Sequence, residues 1–180
     1  IRAIRDAANK EIEVARAKLE REFELAAAIQ ADLFPAAMPA LEGYDLAARN
    51  RPARQCGGDY YDALPLAADD GTRVLLCVAD VSGKGIPGAL LMVMVRSLLR
   101  ATAWELDAPA EIVRRLNRFL HRDLPPSMFV TMVFGVLSLG GGRRLSLTNA
   151  GHVHTGHIAA QMGHVLDKPM QPPVEIGHCF

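Results

Sequence analysis

The stretch from Arg73 to Ala103 constrains the fold most. Arg73 to Ala79 reads Arg-Val-Leu-Leu-Cys-Val-Ala, a nearly continuous apolar run that closes on Asp80. Such a run is the pattern of a strand buried on both faces. Ser82-Gly83-Lys84-Gly85 follows, and Pro87 then stands near the first position of a helix. From Gly88 to Ala103 that helix is apolar almost all round, which predicts deep burial. A strand of this kind running into a helix of this kind must be covered by other layers. Half of the 180 residues are hydrophobic, so the chain can supply them.

The flanking sequence supplies further strands and helices. Tyr44 to Arg51 reads as a short strand, and Gly57-Gly58 marks a turn or a close approach before Asp59-Tyr60-Tyr61-Asp62. Asp69-Asp70-Gly71 is a turn. Pro109 opens an amphipathic helix to about Arg122, with Ile112, Val113, Leu116, Phe119 and Leu120 on one side. Met128 to Leu139 is a strand, Gly140-Gly141-Gly142 turns the chain, and Arg143 to Asn149 alternates as a half-buried hairpin partner. Hairpins with a helix pair between them predict a layered α+β domain.

The first 34 residues differ in kind. Between Ile1 and Glu24 twelve residues are charged, six of each sign, and neither Gly nor Pro occurs before Pro35. Ile12, Ala15, Leu19, Ala26, Ile29 and Leu33 recur in steps of three and four, with one break at Glu22. That is a heptad seam, extended upstream by Ala8 and Ile1, on a helix too polar to sit on a large core. It predicts a helix that pairs with another helix, as in a homodimer, or one that leans on the following domain. Pro35 and Pro39 end it. The expected organisation is a coiled-coil-like signalling helix over 1–34 and a catalytic-type domain over 40–180. The chain opens inside a charged helical pattern, so it reads as a piece of something longer, with room for an upstream sensor domain.

Composition excludes several classes. Lys plus Arg and Asp plus Glu are both 20, so the net charge is zero, which disfavours a strongly basic nucleic-acid binder. The longest strongly apolar stretch, Ala89 to Val95, stops at Arg96, short of the roughly 20 residues that span a bilayer. Cys56, Cys77 and Cys179 are scattered and odd in number, which fits a reducing cytoplasm rather than a disulfide framework. His152-Val153-His154 could offer a zinc pair on one strand face, but no third ligand stands out, and packed or solvated histidines are the simpler reading.

Two acids carry the chemistry. Asp80 closes the buried strand ahead of a glycine-rich loop and a helix start, where ligands often gather. The loop is no P-loop, because Val78 and Gly85 occupy the positions of the first glycine and of the hydroxyl. Read alone, Asp80 either serves a site or caps the next turn. Asp59 follows two glycines that allow close backbone approach. Asp62 alternates out of phase with Asp59, so it belongs to the opposite face and to structure. Two carboxylates about 4 Å apart repel by roughly 4 kcal/mol at an effective dielectric near 20. If Asp59 and Asp80 converge, one of them takes a proton or a hard cation such as Mg²⁺ or Mn²⁺ lies between them.

These residues carry a resemblance. Gly57-Gly58-Asp59-Tyr60-Tyr61-Asp62, the run from Asp80 to Ala89, Phe129-Val130-Thr131 and Asn149-Ala150-Gly151-His152 are together similar to the SpoIIE/RsbU-type branch of the PPM metal-dependent protein serine/threonine phosphatases. Ile29-Gln30-Ala31-Asp32-Leu33-Phe34-Pro35 resembles the helix-to-domain junction of that branch. The resemblance runs from about Ala26 to Val174. It implies an αββα sandwich with two Mn²⁺ or Mg²⁺ ions, Asp59 holding one, Asp80 bridging both and the backbone carbonyl of Val81 as a further ligand. It implies Gly83, Lys84 and His152 as residues beside the substrate, although a solvated Lys84 reads equally well. It also implies that the helices opening at Pro87 and Pro109 relay the state of the upstream coiled coil to the metals. The implied reaction is removal of phosphate from phosphoserine or phosphothreonine on a STAS-like anti-sigma-factor antagonist.

One departure from the family pattern is plain. Two further family aspartates, in an Asp-Gly-x-Thr/Ser-Glu stretch and a later Asp-Asp/Asn stretch, have no counterpart before Phe180. The expectation is therefore a phosphatase domain truncated at its C-terminus, lacking closing strands and part of the second metal's ligands. The alternative is a non-catalytic module that dimerises through residues 1–34 and docks a partner.

Overall fold

The computed structural model describes residues 2–52, 55–66, 73–105, 108–140, 143–152 and 174–176. Its elements are α1 (Arg2–Ala31), β1 (Leu46–Ala48), β2 (Tyr60–Leu66), β3 (Arg73–Val81), α2 (Ile86–Ala103), α3 (Pro109–Asp123), β4 (Val130–Ser138), β5 (Arg144–Ala150) and β6 (Val174–Ile176). The strands β2-β3-β4-β5 form an antiparallel sheet in that order, and β1 pairs in parallel with β6 in a second, smaller sheet. The glycine turn at 141–142, the turn at 69–71 and the histidines from His154 onward lie outside the described residues.

The alternation of strand side chains builds two cores on the two faces of the main sheet. On one face Leu75, Cys77, Ala79 and Val81 of β3 and Met132, Phe134 and Val136 of β4 meet Met92, Val95 and Leu99 of α2 and Ile112, Leu116 and Leu120 of α3. The spacing of the three α3 residues, four apart, is what lays that helix along the sheet. Each large apolar side chain buried there contributes about 1.5–3 kcal/mol. On the other face Ala63, Val74, Leu76 and Leu137 pack with Leu41, and Met38, Tyr44, Leu46 and Leu145 close around them. The order is thus helices, main sheet, then the segment leading through β1. This is the helix and sheet layering of the αββα type.

Several expectations change. The strand read over 44–51 shortens to β1, and the turn Leu41–Tyr44 precedes it. Asp80 lies inside β3 and does not end it, because Val130 and Thr131 of β4 extend the ladder to Val81 and Asp80. The helix α2 is buried on one side only: Leu90 is 66% exposed and Trp104, just after it, 67%. A sheet covers one face of a helix, so an all-round apolar pattern does not mean all-round burial. Among the described residues α2 is the one helix long and apolar enough to cross a membrane, yet its Met92, Val95 and Leu99 are fully buried against the sheet.

The helix α1 also divides. Ile4, Ile12, Leu19 and Ile29 are exposed, whereas Phe23, Ala26, Ala27, Gln30, Leu33 and Phe34 turn towards the domain. Phe34 packs its ring against Tyr61, with centroids 5.0 Å apart, and against Tyr60 at 6.2 Å. From the other side the Arg96 Nε–H of α2 donates to the Leu33 carbonyl at 2.7 Å.

Candidate functional site

The register of the main sheet aligns the two acids. Tyr60 pairs with Ala79, so continuing that antiparallel register by one residue sets Asp59 opposite Asp80. Asp80 in turn pairs with Thr131 of β4. Tyr60 and Leu64 of β2 face the helices, as do Ala79 and Val81 of β3 and Met132 of β4. By alternation Asp59, Asp80 and Thr131 share the opposite face, in one row across three strands.

The electrostatics agree with that geometry. Burial raises the Asp59 carboxyl above its ordinary value, and the negative charge of Asp80 raises it further. Two acids that feel one another on a partly buried surface either share a proton or take up a cation.

The backbone around them is closely packed. A Cβ placed on Gly58 would stand 2.2 Å from the Val81 carbonyl oxygen, so only glycine lets the segment before β2 lie against the end of β3. Val81 carries the carbonyl implied as a ligand, which is thus next to the Asp59 segment. Beyond it the Ser82 N–H donates to the Phe129 carbonyl at 2.9 Å, and the Phe129 N–H donates to Ser82 Oγ at 2.7 Å. These reciprocal bonds tie the loop after β3 to the entry of β4. Gly83 takes φ +113°, a conformation open to glycine, under the Met128 side chain. Lys84 is exposed on that loop. The helix α2 starts at once from Gly85, with the Ala89 N–H bonded to the Gly85 carbonyl at 3.0 Å.

His152 is buried beside the row of acids. Its Nδ1 lies 2.9 Å from Thr131 Oγ1. Asn149 fixes its backbone from both sides, donating from Nδ2 to the His152 carbonyl at 3.1 Å and accepting the His152 N–H at 2.8 Å. The Asn-Ala-Gly-His run is therefore a tight loop at the end of β5 that presses a ring onto the Asp80 neighbour Thr131. Neither Thr131 nor Asn149 was singled out individually by sequence reasoning. The signal available for Thr131 was a hydroxyl on a strand otherwise apolar.

Asp62 belongs to the other face. Tyr60 OH donates to it, Arg100 of α2 pairs with it, and it is buried. Burial and the Asp62 charge push the Tyr60 hydroxyl well above its usual range. The Cys77 thiol is raised for the same two reasons, so it is a packed, protonated group and not a nucleophile.

Gln30 stands in the junction motif Ile29 to Pro35, but the sequence assigns it no role of its own. It is 6% exposed near the end of α1. Its Nε2 donates to the Gly57 carbonyl at 2.7 Å, and its Oε1 accepts the Gly57 N–H at 3.1 Å. Asn50 adds a bond from Nδ2 to the Asp59 carbonyl at 3.4 Å. A polar residue standing in the stripe Phe23, Ala26, Ala27, Phe34 was the available clue.

The donor set suits a hard divalent cation. Two carboxylates and a backbone carbonyl would offer oxygen donors, without sulfur or imidazole, which is the chemistry of Mg²⁺ and Mn²⁺ sites that keep several waters. Among the described residues no group of three or more His, Cys, Asp or Glu gathers.

Comparison with known proteins points to one family. The profile of the family described as stage II sporulation protein E (SpoIIE) matches residues 70–178. The chain is 31% identical over 135 residues to phosphoserine phosphatase RsbU of Bacillus subtilis, across 75% of this chain and 39% of that protein. It is 31% identical over 160 residues to protein IcfG of Synechocystis sp., across 73% of this chain and 24% of that protein. The chain thus spans well under half the length of these curated relatives. Among solved structures it resembles the SiaA-PP2C domain of Pseudomonas aeruginosa, with a TM-score of 0.51 and 23% identity over 71% of this chain and 50% of that one. That likeness concerns the fold.

Proposed function

Since this chain belongs to the SpoIIE family, the RsbU-like branch of the PPM phosphatases, we propose that it forms the metal-binding part of a serine/threonine phosphatase acting on a regulatory protein in sigma-factor signalling. The observation that carries the reading is the row Asp59–Asp80–Thr131, with the Val81 carbonyl packed under Gly58. Asp59 and Asp80 would hold Mn²⁺ or Mg²⁺ with the Val81 carbonyl. A divalent cation held there acidifies water and offsets the charge gathering on the phosphoryl oxygens.

The chain's own groups do the rest. The Ser82–Phe129 bonds and the Thr131–His152 contact hold the three strand ends in fixed relation, so the two carboxylates are set before a substrate arrives. Gly83 leaves the loop beside them bare of side chains, and Lys84 offers an exposed cation for an incoming phosphate. The substrate read from the branch is a phosphorylated serine or threonine on a STAS-like protein. Residues 1–34 are a signalling helix and residues 40–180 the phosphatase domain in this reading. The exposed Ile12, Leu19 and Ile29 on α1 support a homodimer. A cytoplasmic setting fits the reduced, buried Cys56 and Cys77.

The test is Mn²⁺- or Mg²⁺-dependent release of phosphate from an aryl phosphate and from a serine-phosphorylated STAS-domain protein, using the full-length gene product. Asp80→Asn is expected to abolish both activities; unchanged turnover sinks the assignment. One observation favours a second reading. Asp59 and Asp80 gather no third His, Cys, Asp or Glu side chain among the described residues, as a non-catalytic docking module would have it. No metal-dependent turnover, together with retained binding of the phosphoprotein, is the outcome that selects it.

A further inference from the structure

We propose that Gln30 is a positioning residue for Asp59: the signalling helix reaches the candidate metal site directly, through the two-way hydrogen bond between the Gln30 amide and Gly57. The bond links positions 27 residues apart and ends two residues before Asp59.

Gln30 is the one fully buried residue of a 30-residue helix. Its neighbours on the domain-facing stripe, Phe23, Ala26, Ala27 and Phe34, are apolar or small. Packing alone would be served as well by a leucine or methionine. A buried amide is costly unless both its ends are satisfied. Here Gly57 satisfies both, acting as donor and acceptor as a neighbouring strand would. The two bonds engage both peptide units that flank the Gly57 Cα, so they fix an orientation where one bond fixes only a distance. The next peptide carries Gly58, wedged on the Val81 carbonyl, and the one after it carries Asp59, whose own carbonyl accepts from Asn50. Each of the three residues from Gly57 to Asp59 thus has its backbone held by a named contact.

The second attachment of α1 strengthens the case. Arg96 holds the Leu33 carbonyl from α2, the helix that begins just beyond Asp80. The end of α1 is therefore tied on one side to the segment bearing Asp59 and on the other to the helix following Asp80. Of the two ties, the Gln30 amide is the one that acts without passing through the helix pair.

The inference rests on the reading of Asp59 and Asp80 as metal ligands. Outer residues that orient metal ligands are typically worth about 10–100-fold in metal affinity. The experiment is calorimetric titration of the metal-free full-length protein with Mn²⁺, for wild type, Gln30→Met, Gln30→Asn, Ala28→Gln and Asp80→Asn. Met keeps the length of Gln and loses both bonds; Asn keeps the amide and is one methylene too short to reach. Gln30→Met and Gln30→Asn are each expected to weaken Mn²⁺ binding about tenfold, with thermal midpoints of the metal-free proteins within a few degrees of wild type. Ala28→Gln, exposed on the same turn and outside the heptad seam, is expected to bind as wild type does. Wild-type affinity in whichever Gln30 variant folds overturns the positioning role. If Asp80→Asn also binds Mn²⁺ normally, the metal site itself is misassigned; if only the Gln30 variants bind normally, Gln30 alone is.

Discussion

Arg100 on α2 grips Asp62 on β2 with both arms of its guanidinium, Nε at 2.8 Å from one carboxylate oxygen and Nη2 at 3.0 Å from the other. Asp62 is fully buried, and the pair fastens the edge strand of the sheet to the helix that follows Asp80. Removing Arg100 leaves the Asp62 charge in the core, since the Asp62 side chain is wholly buried while that of Arg100 reaches the surface. Arg100→Met is expected to cost about 3–5 kcal/mol, read by urea unfolding of the metal-free protein. Replacing both partners at once with apolar residues, as in Asp62→Leu with Arg100→Met, is expected to cost clearly less. Equal losses in the single and double variants would show that the pair is not what matters.

The two adjacent glycines differ sharply. A Cβ on Gly57 would meet Pro52 at 3.6 Å, an ordinary contact, while one on Gly58 would enter the Val81 carbonyl at 2.2 Å. Gly58→Ala is therefore expected to cost about 1–3 kcal/mol through overpacking and to weaken Mn²⁺ binding. Gly57→Ala is expected to leave both near wild type. Stability curves and Mn²⁺ titrations of the two variants side by side decide it.

Asp59 makes the metal-free protein sensitive to pH. Its carboxyl is raised from 3.8 by burial and by the charge of Asp80. A group raised on folding contributes stability that is complete below its unfolded value and is lost as pH climbs through its folded value. With EDTA present, stability from this group is expected to fall as pH rises from 3.8 towards neutrality. Asp80→Asn removes the repelling charge, so it is expected to make the metal-free protein more stable than wild type at pH 7, with the advantage shrinking towards pH 4. A constant difference between the two proteins across that range would refute the coupling.

The exposed stripe of α1 gives a fourth expectation. Ile12 and Leu19 lie open, 65% and 53% exposed, on a helix that is exposed from Arg2 to Glu22. Leu19→Asp is expected to shift the protein towards monomer in light scattering at high concentration, with no change in thermal midpoint at low concentration. A wild type that stays monomeric throughout removes the paired helix.

The legible parts of this protein are those governed by short periods. Alternation by two put Asp59 and Asp62 on opposite faces, and the spacing of Ile112, Leu116 and Leu120 gave α3 its buried side. The burial of β3 followed from its apolar run. Asp80 was harder to place, since its membership of β3 depends on Val130 and Thr131 arriving from a strand some fifty residues later. The exposure of Leu90 depends on the sheet lying on one side of α2, which no local pattern encodes. Gln30 was the least legible. Its partner Gly57 offers only a peptide group, and a peptide group leaves no mark in a sequence.

The proportions of α1 make it a lever. Phe23 to Phe34 rest on the domain, while Arg2 to Glu22 project as a free arm of roughly 30 Å. A tilt of about 10° about the resting end carries the tip through roughly 5 Å at a rise of 1.5 Å per residue. The same tilt displaces the amide of Gln30 by only a fraction of that. Coarse movement far away would be geared down to a fine adjustment at the fulcrum, two residues from the carboxylate of Asp59.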